Sequence, residues 1–158
     1  MSNNVLCRPW RFRDNIVEIG RDIIEGDDSK QNYTVVGIPK HRGVKLKCNK
    51  CKCVFDFSAK EQVHWYETLG FYVDSVPSEC VDCRGVTRAI VQLNKRLSKV
   101  LAVKSMDIED YNEIVDVAMA LMGNGVKFGG RLAQKFRMAA KRSDHSAKDY
   151  LLKNLESI

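Results

Sequence analysis

The stretch KCNKCKCVFDF, at residues 47–57, places three cysteines within six residues and a lysine beside each of them. A second stretch, CVDCRG at residues 80–85, repeats part of this pattern. Both stretches contain a pair of cysteines separated by two residues: Cys48 with Cys51, and Cys80 with Cys83. Two intervening residues let the chain turn back, so that both sulfurs of a pair can face the same metal ion. The doubled spacing therefore predicts a four-cysteine metal site.

Zinc is the metal that this ligand set favours, because structural zinc sites are closed by four ligands arranged as a tetrahedron. We therefore predict one structural Zn²⁺ per chain. Two other interpretations stay open at this stage, since cysteines can also be buried or free thiols, or can hold an iron–sulfur cluster or form a redox pair. A strand and a helix predicted between the two pairs are typical of a zinc module.

The remaining cysteines and the neighbouring cations complete the pattern. Cys53 could replace Cys51 as a ligand, but the spacing favours Cys51, and Cys7 is expected to be a plain thiol. His64 lies within a predicted helix and is expected on its surface or in the core. Cations beside thiols lower the thiol pKa and favour the thiolate, although they can also be ordinary solvated side chains. The cations concerned are Lys47, Lys50, Lys52 and Arg84.

Length and composition limit the class of protein. The 158 residues suit one ordinary domain or a small module with a helical half, and the hydrophobic fraction of 44% suffices for a core. No apolar run approaches the roughly 20 residues of a membrane helix, and the N-terminus lacks the apolar segment of a signal peptide. We therefore expect a soluble, cytoplasmic protein with no membrane contact. Six cysteines in that compartment argue for metal binding rather than for disulfides.

Hydrophobic periodicity predicts the secondary structure of the first half. The predicted elements are, in order, a helix at 11–26, strands at 33–38, 43–47 and 54–57, and a helix at 59–69. Ser58 and Glu61 are spaced as a capping box at the start of the last of these helices. A Pro-Lys-His-Arg turn joins the first two strands, and a basic hairpin tip is predicted from Lys40, His41, Arg42 and Lys45.

The second half reads as helical throughout. The predicted helices lie at 84–104, 107–122, 130–142 and about 145–156. Ser143 or Asp144 is expected to cap the last helix. The sequence thus divides into three predicted parts: an N-terminal helix and β-hairpin at 1–45, a zinc module with its following helix at 46–104, and a helical region at 105–158.

The zinc module resembles the bacterial "probable zinc-ribbon" domain family over residues 46–88. The resemblance rests on Cys48-x2-Cys51, Val54-Phe55-Asp56-Phe57, Ser58-Ala59-Lys60-Glu61-Gln62, Trp65-Tyr66, Gly70-Phe71, Pro77 and Cys80-x2-Cys83-Arg84. The geometry of that family is treble-clef-like, with a zinc knuckle, a short hairpin and a second cysteine pair that opens a helix. The implied fold is α+β, with a small treble-clef or zinc-ribbon-like module built on four cysteines, a short N-terminal β-hairpin and a mainly helical C-terminal half. The resemblance implies no particular function.

Clustered basic residues favour nucleic acid as a partner. The net charge of +6 is unevenly distributed, and basic residues recur on the polar faces of two predicted helices. Such stripes can follow a line of phosphates, although charged helix faces are usually just solvated. The residues concerned are Arg84, Arg88, Lys95 and Lys99 on one helix, and Arg131, Lys135 and Arg142 on the other.

A protein partner is the equally favoured alternative, because the acidic helix at 107–116 does not suit nucleic acid. Cytosolic factors of this size include immunity proteins and phage or host regulators. We expect no catalytic site, since neither a phosphate-binding loop nor a nucleophile with a neighbouring base is recognisable. A treble-clef nuclease is the remaining enzymatic alternative, and the three histidines form no pattern that supports it. No small-molecule substrate is expected.

Overall fold

The computed structural model describes residues 16–155, and its residues cluster into two compact units that divide between Arg84 and Gly85. The boundary lies inside a long helix, four residues after that helix begins. The three-part division predicted from the sequence stays a prediction. Among the residues that the structure describes, no helix combines the length and the apolar character that crossing a membrane requires.

A three-stranded antiparallel sheet forms the framework of the first unit. Its strands are β1 (Ile16–Glu25), β2 (Lys40–Lys47) and β3 (Val54–Phe57), in the order β1-β2-β3. Leu46 of β2 lies opposite Phe55 of β3, and Phe57 lies opposite Val44. These four side chains share the face that packs on Tyr66 and Val73. The sheet therefore supports a small core on one side.

The predicted helix at 11–26 is wrong where the structure describes it, because residues 16–25 form β1. The register between β1 and β2 shifts between Ile19 and Ile23, which interrupts the alternation expected of a strand. With two extra residues at this point, the isoleucines fall at a spacing that imitates a helix. Residues 11–15 lie outside the described part of the chain. The short N-terminal hairpin is thus formed by β1 and β2.

The predicted strand at 33–38 is also wrong. A single 3₁₀ turn at Asp28–Lys30 is followed by an irregular loop, in which Asn32 makes one isolated bridge to Tyr72. The Gln31 side chain accepts from the Ile38 amide at 2.7 Å and donates to the Ile38 carbonyl at 3.0 Å, so it closes the loop. Since β1 and β3 already flank β2, the sheet has no place for residues 33–38 beside that strand.

Helix α1 (Ala59–Val63) follows β3 directly and continues into a π-helical turn at His64–Thr68. The Ser58 hydroxyl accepts from the Glu61 amide at 3.1 Å, which confirms one half of the predicted capping box. The Glu61 carboxylate instead pairs with Arg84. The Asp22 carboxylate of β1 accepts from the Ala59 amide at 2.7 Å and so ties the start of α1 to the sheet.

Four helices build the C-terminal part, close to their predicted positions. They are α2 (Val81–Leu101), α3 (Ile108–Gly123), α4 (Gly130–Arg142) and α5 (Lys148–Leu155). The core of the second unit contains buried side chains from all four helices, including Leu97, Val115, Phe136 and Leu151. Asp107 and Asp110 form a complete capping box at the start of α3. This unit thus has a hydrophobic core of its own.

The predicted cap of the last helix is wrong. Ser143 is the C-cap of α4, and Asp144 accepts a hydrogen bond from Asn112 of α3. Helix α5 begins only at Lys148, because the Ala147 amide donates to the His145 imidazole just before the helix starts. The polar cluster at 143–145 therefore serves the turn between two helices.

Candidate metal centre

Two separate turns bring four cysteines together. Cys48 and Cys51 lie in the connection between β2 and β3, and Cys80 and Cys83 lie at the start of α2. Their four sulfur atoms all lie within 4.8 Å of one another. The structure therefore assembles the four cysteines that the spacing predicts, and the group could hold a metal ion.

Backbone hydrogen bonds shape the first turn. The Cys48 amide donates to the Cys53 carbonyl at 2.8 Å, and the Lys52 amide donates back to the Cys48 carbonyl at 3.0 Å. Lys52 has a φ of 64°, a left-handed conformation that non-glycine residues rarely adopt. The Asn49 amide donates to the Ser78 carbonyl at 2.9 Å, which joins this turn to the segment before the second pair.

The backbone also prepares one sulfur for metal binding. Burial raises the pKa of the Cys48 thiol, but hydrogen bonds from the backbone amides of Cys80, Cys51 and Lys50 outweigh it and lower the pKa to about 6. The Cys80 amide is 3.3 Å from the Cys48 sulfur. Burial, together with neighbouring cysteines, raises the pKa of Cys83 to about 12. Four thiolates in one place need a cation, because like charges at this distance repel one another.

Distances between the sulfurs fit a tetrahedral ion. Two thiolates bound to one tetrahedral zinc at about 2.3 Å each are separated by about 3.8 Å. The sulfurs of Cys51 and Cys80 are 3.8 Å apart. Cys53 does not fit the same arrangement, because its sulfur is only 3.1 Å from that of Cys51. The geometry thus supports Cys51 rather than Cys53 as a ligand, and His64 is exposed and outside the group.

Arg84 follows the last cysteine and is engaged within the first unit. Its guanidinium forms an ion pair with Glu61 at 2.7 Å and lies over the Trp65 ring at 5.4 Å. This contact fastens the start of α2 to α1, next to the second cysteine pair. The Lys52 ammonium donates to the Asn49 carbonyl at 2.6 Å, so it supports the turn that carries the first pair. Two of the predicted cations therefore stabilise the backbone around the sulfurs.

Two hydrogen-bonded turns supply one cysteine pair each, and the second pair opens a helix. A treble clef has this arrangement. Residues 43–91 match the family described as "Probable treble clef domain". The match includes all four cysteines and confirms the resemblance found over residues 46–88. Comparison of the whole chain with curated proteins and with solved structures finds no match. The matched residues thus include the four-cysteine cluster and the first turns of α2.

Of the basic residues singled out on the two helices, Arg84 is half-buried and the others are exposed. Arg142 is exposed but donates to the Tyr111 hydroxyl at 2.9 Å, and its guanidinium lies over that ring. The remaining exposed members are Arg88, Lys95 and Lys99 on α2, and Arg131 and Lys135 on α4. Their role in binding nucleic acid stays a prediction.

A buried polar cluster behind the sheet escaped the sequence analysis. His41, which the sequence places in a basic turn, is fully buried, stacks on Tyr66 and contacts the Glu67 carboxylate at 2.8 Å. Glu67 also accepts from the Asp27 amide and the Gln31 side chain. Burial alone would raise the pKa of Glu67, but these hydrogen bonds outweigh it and lower the pKa.

The other basic residues of that segment are also part of the fold. Lys40 and Lys45 form ion pairs with Glu25 and Glu18 of β1. The basic turn predicted from the sequence is therefore part of a paired sheet. Gln31 and Glu67 are the residues whose polar side chains could have indicated the buried cluster around His41. Their partners lie too far along the chain to be identified from local spacing.

Proposed function

We propose that the protein is a non-catalytic module that zinc stabilises and that binds nucleic acid through the exposed basic face of α2. The four sulfurs of Cys48, Cys51, Cys80 and Cys83 would hold a structural Zn²⁺. A four-thiolate set suits zinc and leaves no position open for a substrate or for water. When bound, the ion would supply folding free energy to a unit whose own hydrophobic core is small.

The single observation that carries the nucleic-acid proposal is the polarity of α2. Leu93 and Leu97 are buried against the core of the second unit, whereas Lys95 and Lys99 lie exposed on the opposite side of the helix. Within residues 16–155, neither lysine forms an ion pair with an acidic side chain. Both ammonium groups are therefore available to phosphates, and each contact would release counterions.

The acidic residues of α3 do not oppose this proposal, because the fold uses most of them. Glu113 forms an ion pair with Arg96 at 2.8 Å, and Asp116 contacts His145 at 2.9 Å. Asp107 and Asp110 cap the helix. The negative charge that the sequence concentrates in this segment is thus partly neutralised within the second unit. This weakens the main argument from the sequence against nucleic acid.

Binding to mixed-sequence duplex DNA, measured against salt concentration, tests this proposal. Replacing Lys95 and Lys99 together by glutamine should weaken binding and reduce the slope of log affinity against log salt by about two, because each phosphate contact contributes about 0.9. The matched control replaces Lys60 and Lys127 by glutamine, two exposed lysines outside the proposed face, and changes the net charge equally. An equal loss in both variants, or no loss in either, would contradict the role of α2.

A protein partner is the second candidate, and one surface favours it. Two loops of the first unit meet where the Thr34 and Tyr72 hydroxyls are 2.8 Å apart, and Val73 donates to the Asn32 carbonyl. Large apolar side chains are exposed on these loops: Val35, Val36, Leu69, Phe71 and Tyr72. Such clusters often mark protein-binding surfaces. An immunity protein or a phage or host regulator would use a surface of this kind, and such a protein would leave DNA unbound in the salt titration.

The proposal assigns no catalytic role to the histidines. His41 is fully buried against Glu67, and His145 bonds to Asp116 at the turn before α5. His64 lies on the exposed surface of the π-helical turn. Among the His, Cys, Asp and Glu side chains of residues 16–155, the group that could hold a metal ion consists of the four cysteines. A treble-clef nuclease would need a second, histidine-containing site.

A further inference from the structure

We propose that Cys51 and Cys53 form an oxidant-sensitive thiol pair, in which a disulfide between them removes one ligand from the metal centre. This inference rests on the zinc site proposed above. Its first observation is the distance of 3.1 Å between the two sulfur atoms. That separation is too short for two ligands of one tetrahedral zinc but places one thiol within reach of the other. Cys53 is thus a spare thiol beside a ligand.

Solvent exposure selects the same pair. Cys48 and Cys80 are buried and Cys83 is half-buried, whereas Cys51 and Cys53 are both exposed. Among the four proposed ligands, Cys51 is therefore the one that a dissolved oxidant meets first. Oxidation of cysteine is selective for accessible sulfurs with thiolate character, and a metal ligand has that character. The exposed ligand and the spare thiol are neighbours in the structure.

Backbone hydrogen bonds keep the two thiols side by side. Lys52, between the two cysteines, has a φ of 64°, and its amide donates to the Cys48 carbonyl. The Cys53 carbonyl accepts from the Cys48 amide at 2.8 Å, so the chain at Cys53 is turned back towards the first ligand. A residue outside the ligand set is thereby kept beside Cys51. This placement does not follow from the needs of the metal alone.

A hydroperoxide is the oxidant that balances the reaction. The Cys51 thiolate attacks one oxygen of hydrogen peroxide, the O–O bond breaks, and Cys51 becomes a sulfenic acid with release of hydroxide. The Cys53 sulfur then attacks the sulfur of Cys51, forms the S–S bond and expels the oxygen, which leaves as water with the thiol proton. The two sulfurs are oxidised, and one peroxide is reduced to one water and one hydroxide, which takes a proton from the solvent. A dithiol reductant reverses the change by thiol–disulfide exchange.

Formation of this disulfide would weaken metal binding. A disulfide sulfur is not a thiolate, so the zinc would keep only the sulfurs of Cys48, Cys80 and Cys83. Structural zinc sites are four-coordinate, and the folding free energy that the metal supplies depends on the complete set. Oxidation would therefore release zinc and loosen the first unit. The proposal is thus a peroxide-sensitive control of the zinc site.

Peroxide treatment of the full-length protein tests the proposal with two readouts. Intact and peptide mass spectrometry should show a loss of two hydrogens per chain and a Cys51–Cys53 disulfide, and a zinc-sensitive dye should report the loss of one zinc per chain. A Cys53→Ser variant should start with the same zinc content, form no such disulfide and release zinc more slowly. A Cys7→Ser variant, which removes the cysteine that belongs to neither stretch of clustered cysteines, should behave like the wild type.

Each outcome decides one of the two claims. Equal zinc release from the wild type and from Cys53→Ser, or a disulfide that joins a different pair of cysteines, would overturn the thiol-pair proposal. Absence of zinc from the untreated wild type would contradict the zinc site, and the mass-spectrometric readout would still decide whether Cys51 and Cys53 react together. Failure of DNA binding affects neither readout.

Discussion

Glu67 shows how much of the first unit depends on a single side chain. Its carboxylate receives hydrogen bonds from three parts of the chain: the Asp27 amide, the Gln31 side chain and His41. The side chain is 9% exposed, so water cannot replace these donors. The cluster connects the loop before β2, the strand itself and the π-helical turn. Loss of the charge should therefore affect the stability of the whole unit.

Replacing Glu67 by glutamine should destabilise the protein at neutral pH by about 1.5–3 kcal/mol, the usual contribution of hydrogen bonds to a charged group. The pKa of Glu67 is lowered in the folded state. Its stabilising effect is therefore complete above the ordinary glutamate pKa of about 4.3 and is lost as the pH falls through the lowered value. Urea unfolding from neutral to acidic pH measures the difference, which should shrink on acidification.

Exposed Glu109 provides the control for this experiment. A Glu109→Gln variant should change the free energy of unfolding little at any pH, because that side chain receives no comparable set of donors. A difference between wild type and Glu67→Gln that stays constant down to acidic pH would contradict the ionised, hydrogen-bonded state of Glu67.

Single residues also show what the sequence could and could not predict. The grouping of Cys48, Cys51, Cys80 and Cys83 could be predicted from their spacing, since metal geometry imposes a local rule on the chain. His41 was misplaced, because its burial depends on Glu67, which lies 26 residues further along the chain. Local spacing does not encode such a contact. The spacing also set Cys53 apart from the predicted ligands, and the structure adds its distance of 3.1 Å from the Cys51 sulfur.

At the scale of secondary structure, the end of α3 could be predicted from the sequence, because glycines commonly end helices. The helix predicted at 107–122 is followed by the segment GNG at 123–125, and α3 ends at Gly123. Gly125 has a φ of 76°, its amide donates to the Met122 carbonyl, and the Val126 amide donates to the Leu121 carbonyl. This pair of hydrogen bonds is the Schellman motif, which requires a left-handed residue.

A Gly125→Ala substitution should therefore destabilise the protein by about 1–2 kcal/mol, the cost of placing a side chain in the left-handed region. Gly123→Ala is the matched control two residues earlier, since a Cβ there meets no neighbouring atom within 4 Å. Alanine at a helical position should be neutral or stabilising by up to about 1 kcal/mol. Thermal and urea unfolding measure both, and equal effects of the two substitutions would contradict this account of the cap.

Strand β1 is where prediction of an element failed. The isoleucines of residues 16–25 satisfied a helical pattern, but β2 offered an edge for pairing and a two-residue register shift absorbed the mismatch. Tertiary pairing overrides local periodicity in such cases. The helices of the second unit were predicted close to their positions because each has a continuous apolar face, and Asp107 gives a clear signal for the start of α3.

At the scale of the whole molecule, the two units differ in what stabilises them. Among the described residues 16–155, the buried core cluster of the first unit consists of Leu46, Phe57, Tyr66 and Val73, whereas that of the second has fourteen buried side chains. The first unit should therefore depend on its metal, and the second should not. Hydrogen exchange of the full chain, with and without a strong chelator, distinguishes these cases.

The expected result is loss of amide protection in β2, β3 and the two cysteine turns after chelation, with protection of α3 and α4 retained. A Cys80→Ser variant should show the same pattern without a chelator. Loss of protection in both units at the same chelator concentration would contradict their separate stabilisation. Unchanged protection in the first unit would show that its hydrophobic core suffices without a metal.

The metal content of the purified full-length chain tests the central claim most directly. Native mass spectrometry, combined with elemental analysis, should find one zinc ion per chain in the wild type and in Cys53→Ser. The same measurement should find no bound zinc in Cys80→Ser, because that substitution removes one of the four sulfurs that lie within 4.8 Å of one another. A wild type that carries no zinc, or a Cys80→Ser variant that retains it, would contradict the four-cysteine site.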